Sequence, residues 1–135
     1  MSELFLGLMM LCSPFDVQTP MGVPVQQNCV HVDTEIVDRS LSRVLENETD
    51  LIVRGVMQHA TSIVVAQYYF RDKPCQPTVH YGQQRRADGG LVVLLHPNVI
   101  RDRDEATLFK AFELARLRWH SPFSADYAIF YGCSN

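Results

Sequence analysis

The spacing of hydrophobic residues predicts two amphipathic helices. Hydrophobic residues recur at helical spacing from about 34 to 46, at Val37, Leu41, Val44 and Leu45. Asp33 or Thr34 precedes them as an N-cap. A second helix, from about 104 to 119, follows a D-x-x-E capping pattern at 102–105. Its apolar stripe consists of Leu108, Ala111, Phe112, Ala115 and Trp119.

Apolar runs and alternating segments predict strands elsewhere. Residues 4–11 are apolar, residues 28–32 alternate, and residues 78–81 and 91–95 flank a glycine-bounded polar loop typical of a hairpin. Residues 125–131 form the last predicted strand. Proline and glycine interrupt 13–27, which we predict to be a loop or a poorly paired edge.

One segment has two interpretations. Thr49 or Asp50 can cap a helix whose apolar stripe is Ile52, Val56, Ala60, Ile63 and Val64. We predict that this helix continues to about residue 67. The alternative is a strand over 62–70, because that stretch is rich in β-branched and aromatic residues.

These elements predict one small α+β domain spanning residues 1–135, in the order β, β, α, α, β, β, α, β. We expect a mostly antiparallel sheet of four to five strands with about three helices packed on one face. The last β-α-β step also allows a parallel pair with a right-handed crossover.

Composition and charge narrow the class of protein. Hydrophobic residues make up 47% and charged residues 20% of the 135 residues, which is typical of a globular domain. The formal net charge of −3 disfavours non-specific nucleic-acid binding. There is neither a basic region before the apolar run at 4–11 nor a long transmembrane segment, so we expect an intracellular protein, cytoplasmic or nuclear, with no membrane partner. Its four cysteines are then expected to be free thiols.

Two cysteine–histidine pairs form a candidate zinc site. Cys29 and His31 lie two residues apart, and Cys75 and His80 lie five apart. Zinc binds such ligands, but neither spacing is that of a familiar zinc motif, and core or loop positions explain the same residues. We therefore expect no cofactor.

A catalytic interpretation uses Cys75 as a nucleophile with His80 or His59 as its base. Alternatively, two of His59, His80, His96 and His120 serve as acid and base in a small hydrolase. No complete catalytic motif accompanies these residues, and His120 suits the negative end of a helix dipole. An enzyme is not the favoured interpretation.

The remaining candidates point to binding. Tyr127, Phe130 and Tyr131 lie on the predicted last strand, and Arg85 and Arg86 lie in the predicted hairpin loop. Our first hypothesis is a non-catalytic protein–protein interaction or assembly module that associates with itself or with another protein. The alternatives are an accessory subunit that contacts RNA or DNA through the basic loop, and the small hydrolase.

Overall fold

The computed structural model describes residues 16–66, 70, 81–86, 88–120 and 129–130. The predicted strand at 4–11 and the candidate site residues Cys75, His80, Tyr127 and Tyr131 lie outside these ranges. The described elements are β1 (Asp16–Gln18), β2 (Pro24–Gln26), α1 (Thr34–Glu46), α2 (Leu51–Ala60), β3 (Thr61–Val65), β4 (Tyr81–Arg85), β5 (Leu91–Leu95), α3 (Pro97–Arg101), α4 (Glu105–His120) and β6 (Ile129–Phe130).

The described strands form one mixed sheet in the order β1-β2-β3-β5-β4-β6. The α+β class is confirmed, but the prediction of a mostly antiparallel sheet is wrong. β2, β3 and β5 run parallel, while β1 and the pair β4 and β6 are antiparallel to their neighbours. The chain from β2 to β3 passes through two helices, which allows it to return in the same direction.

The chain changes from helix to strand between Ala60 and Thr61, so the prediction of a helix to about residue 67 is wrong. Thr61 already has extended backbone angles (φ −102°, ψ 133°). The five residues of β3 then pair with all of β5. β-Branched side chains, including Ile63 and Val65, favour the extended conformation, and sheet pairing outweighs the helical spacing.

The predicted strand at 28–32 is a tight loop. Asn28 and Cys29 both have positive φ, at 50° and 72°, which no strand allows. The Asn28 side chain donates a hydrogen bond of 2.8 Å to the carbonyl of Val65. β1 and β2, on either side of a turn at 20–21, lie within the proline-interrupted stretch 13–27.

The described part has four helices instead of about three, because α3 forms where Pro97 takes the first helical position after the His96 cap. α1 and α2 both pack against α4, and α4 contacts β4 and β5. Between helices and sheet lies one core, with Phe112, Leu41, Ile36 and Met57 fully buried against Val25, Ile63, Val93 and Leu95. No helix among the described residues is long and apolar enough to span a bilayer.

Candidate functional site

The loop between α1 and α2 is held by its own polar groups. The amide N–H of Glu48 donates to Leu45, and the Glu48 carboxylate accepts the amide N–H of Asp50 at 2.7 Å. The Asp50 side chain in turn accepts the amide N–H of Ile52 at 2.9 Å and caps α2. The first turn of α2 is therefore positioned by two consecutive side chain–backbone contacts.

The Glu48 side chain is almost completely buried, at 2% exposure, against the last turn of α4. Its Oε1 lies 2.6 Å from Nε2 of His120 and 3.3 Å from Nη1 of Arg116. These two residues share one face of the helix because they are four positions apart. The hydrogen bond from His120, followed by those from the Asp50 amide and Arg116, lowers the pKa of Glu48 to about 2.

Large aliphatic side chains are exposed on the two helices that this carboxylate joins. Leu51 and Ile52 begin α2 and are 74% and 77% exposed, and Leu117 directly follows Arg116 on α4 and is 51% exposed. The inward residues of α2 are instead Val53 and Met57. We call this surface the α2–α4 corner; it consists of Glu48, Leu51, Ile52, Arg116, Leu117 and His120.

A second polar cluster lies between α4 and the sheet. Nη1 of the buried Arg118 donates to Oε1 of the buried Gln83 at 2.9 Å. The indole N–H of Trp119 donates to the Thr61 hydroxyl at 3.3 Å, and the Arg85 guanidinium lies 4.6 Å from the centre of the Trp119 ring. Burial, aided by the charge of Arg118, lowers the pKa of Arg85. This cluster fastens α4 to β3 and β4.

The two arginines predicted to contact a partner thus have different surroundings. Arg85 is half-buried over Trp119 and donates to the carbonyl of Gly89 at 3.0 Å. Arg86 is exposed and forms an ion pair of 2.6 Å with Asp88. A cavity of about 300 Å³ beside this loop also places His59 near Arg86. Phe130 pairs with Gly82 of β4 through its backbone.

A larger cavity, of about 600 Å³, lies beyond the carboxyl end of β2 and is lined by Val17, Gln27, His31, Val32, Asp33, Thr34, Glu35 and Arg103. Arg103 reaches Asp33 across it, with 2.7 Å between Nη1 and Oδ2. That contact, followed by the amide of Glu35, lowers the pKa of Asp33. All the non-glycine residues with positive φ in the described part, Asn28, Cys29 and Arg103, lie in the loops around this cavity.

Five of the predicted metal and catalytic residues are described by the structure: Cys29, His31, His59, His96 and His120. Cys29 is exposed and His31 lines the large cavity. Among the residues described, no group of three histidine, cysteine or acidic side chains is placed to hold a metal ion. His59 lies in the hairpin cavity, His96 caps α3 by accepting the amide of Asn98 at 3.0 Å, and His120 contacts Glu48.

Glu48 itself was missed in the sequence. It occupies a short polar link between two helices, where an exposed acid is the ordinary expectation. Its partners Arg116 and His120 lie 68 and 72 positions further along the chain, so no local pattern connects them.

Comparison with protein-family models, with curated proteins and with solved structures finds no match to this chain.

Proposed function

We propose that this chain is a protein-association module that pairs with a second copy of itself through the α2–α4 corner. The observation that carries the proposal is the exposure of two consecutive large aliphatic side chains, Leu51 and Ile52, at 74% and 77%. Removing such surface from water contributes roughly 25 cal/mol for each Å². Contiguous exposed apolar surface often marks an interaction site.

The corner also has a defined shape. Asp50 caps α2 and the Asp50 amide is held by Glu48, so the backbone that carries Leu51 and Ile52 is fixed before any partner arrives. A surface that is already ordered loses less conformational entropy on binding.

Charges around the corner favour a second copy as the partner. Glu46 and Asp50 are exposed at the α1–α2 side, and the partly exposed His120 lies at the end of α4, where Arg116 is turned toward Glu48. In a twofold dimer the same patch faces itself, so the exposed acids of one copy can meet the end of α4 of the other. A standard interface buries about 800 Å² of each partner, more than three exposed aliphatic side chains can supply. We therefore expect a weak, concentration-dependent dimer.

Analytical ultracentrifugation over a wide concentration range tests the proposal. The double variant Leu51→Ser with Ile52→Ser is expected to be monomeric where the wild type dimerises. Ala106→Ser, at the exposed start of α4, is the control and should dimerise normally. A wild type that sediments as a monomer at every concentration would contradict the proposal.

Ligand binding in the cavity beside Asp33 and Arg103 is a second candidate function. The observation that favours it is the strained backbone around the cavity, since strain of this kind clusters at functional sites. The cavity also lies at the carboxyl end of a parallel strand, where many α/β proteins bind ligands.

Ligand-observed NMR with a mixture of nucleosides, amino acids and sugars tests this second function. Binding is expected for the wild type and lost in His31→Ala and Arg103→Ala. Binding that survives both substitutions, or no binding at all, rejects the cavity as a ligand site.

The nucleic-acid alternative rests on Arg86, because Arg85 lies against Trp119.

A further inference from the structure

The charge of the contact between His120 and Glu48 depends on the protonation of the imidazole. The His120 side chain is 39% exposed and reachable by solvent protons, whereas its carboxylate partner is 2% exposed. The two atoms are 2.6 Å apart, but the contact is an ion pair only while the imidazole is protonated. Histidine is the side chain that ordinarily changes charge within the physiological pH range.

The same carboxylate connects both sides of the corner. One oxygen of Glu48 faces His120 and Arg116 at the end of α4, and the other accepts the amide of Asp50 at the start of α2. Leu51 and Ile52 follow Asp50, and Leu117 lies between Arg116 and His120. The Glu48 side chain therefore joins the loop that leads into Leu51 and Ile52 to the helix turn that carries Leu117.

We propose that protonation of His120 strengthens self-association, because its ion pair with Glu48 then holds the last turn of α4 against the loop that positions Leu51 and Ile52. We call this ion pair the clamp. This inference rests on the proposed function and adds its regulation. The partner remains a second copy of this chain, whose corner carries the same contact.

Besides the imidazole, other groups contact Glu48 or carry charge near it. From the loop, Glu48 is the acid that faces His120, while Asp50 contributes its amide and Glu46 is exposed at the end of α1. From α4, Arg116 faces the same carboxylate, and from α2, Arg54 donates instead to the carbonyl of Leu45 at 3.1 Å. Within the described residues, then, Glu48 keeps the Asp50 amide and Arg116 as partners at high pH, and its contact with His120 loses the charge of the imidazole.

Dimer dissociation constants measured by ultracentrifugation at about pH 5.5 and about pH 8 test the inference. The wild type is expected to dimerise about two- to fivefold more tightly at the lower pH, the range of a partly exposed ion pair. His120→Asn should lose this difference. His120→Arg, whose side chain is charged at both pH values, should dimerise equally tightly at both. His59→Asn, a histidine outside the corner, should keep the wild-type difference.

The outcomes separate the two proposals. A wild-type dimer of equal strength at both pH values overturns the regulation and leaves self-association standing, whereas a wild type that never dimerises overturns both. A direct readout comes from the NMR shift of the Asp50 amide, which should follow the titration of the His120 ring with the same midpoint. An Asp50 amide that does not respond to that titration overturns the clamp.

Discussion

Nε2 of His120 lies 2.6 Å from Oε1 of Glu48, a contact that joins the end of α4 to the link between α1 and α2. Arg116 contacts the same oxygen from one turn earlier in the helix. Since a buried carboxylate is tolerated only when it is hydrogen bonded and charge-compensated, this contact is part of how the helices are held together.

The Glu48 contacts predict a loss of stability in Glu48→Gln. The amide keeps the shape of the side chain but removes the charge that faces His120 and Arg116. We expect the free energy of unfolding in urea to fall by about 1–3 kcal/mol. Glu46→Gln, which changes an exposed acid at the end of α1, should change it by less than about 0.5 kcal/mol. Equal stability of the two variants would show that the Glu48 contacts contribute nothing net.

Acid should weaken the fold through the same group. The pKa of Glu48 is lowered from 4.5 to about 2, so its stabilisation is present above pH 4.5 and is lost as the pH falls toward about 2. Asp33, Asp88 and Glu105 also have lowered pKa values and contribute in the same direction. The contribution of Glu48 itself is therefore measured as the difference in the free energy of unfolding in urea between wild type and Glu48→Gln. This difference should shrink as the pH falls from 4.5 toward about 2. A difference that stays constant with pH contradicts the assignment.

The Gln83–Arg118 hydrogen bond predicts that replacing Gln83 with a more hydrophobic residue lowers the stability of the fold. Gln83→Leu removes the acceptor 2.9 Å from Nη1 of the buried Arg118. We expect unfolding to require about 1–3 kcal/mol less, despite the added apolar surface. The control is Gln18→Leu on the exposed part of β1. A stabilised Gln83→Leu would mean that Arg118 does not depend on this acceptor.

Two glycines predict opposite effects of the same substitution. Gly89 has a φ of +93°, so Gly89→Ala strains the hairpin loop. The free energy of unfolding should fall by about 1 kcal/mol, which a lower melting temperature would show. Gly55 lies inside α2 with open space around it, so Gly55→Ala should raise stability by about 0.5–1 kcal/mol. Two substitutions of the same sign would contradict this account.

The sequence predicted those elements whose signals are local. α1 was predicted because side-chain spacing and capping act within one or two turns, and of the two possible caps, Asp33 and Thr34, Asp33 is the one that forms. α4 was also predicted, although Asp104, which accepts the amide of Thr107, lies closer to its start than the predicted pattern at 102. β5 was recognisable as an unbroken apolar run.

Features that depend on distant residues could not be predicted in this way. The parallel pairing of β3 with β5 and the end of α2 at Ala60 are decided by which strands meet in space. The α2–α4 corner combines residues from both halves of the chain. The exposure of Leu51 and Ile52 also escaped prediction, because Ile52 fits an inward stripe that in fact contains Val53 and Met57.

The order of strands in the sheet has a consequence for how the chain reaches its fold. The β4–β5 hairpin pairs residues close in sequence, such as Arg85 and Leu91, and can close within microseconds. The register of β3 beside β5, and of Val25 beside Ile63, brings together segments separated by long connections. Closing such connections costs entropy before any contact compensates, so the parallel centre of the sheet is expected to set the folding rate.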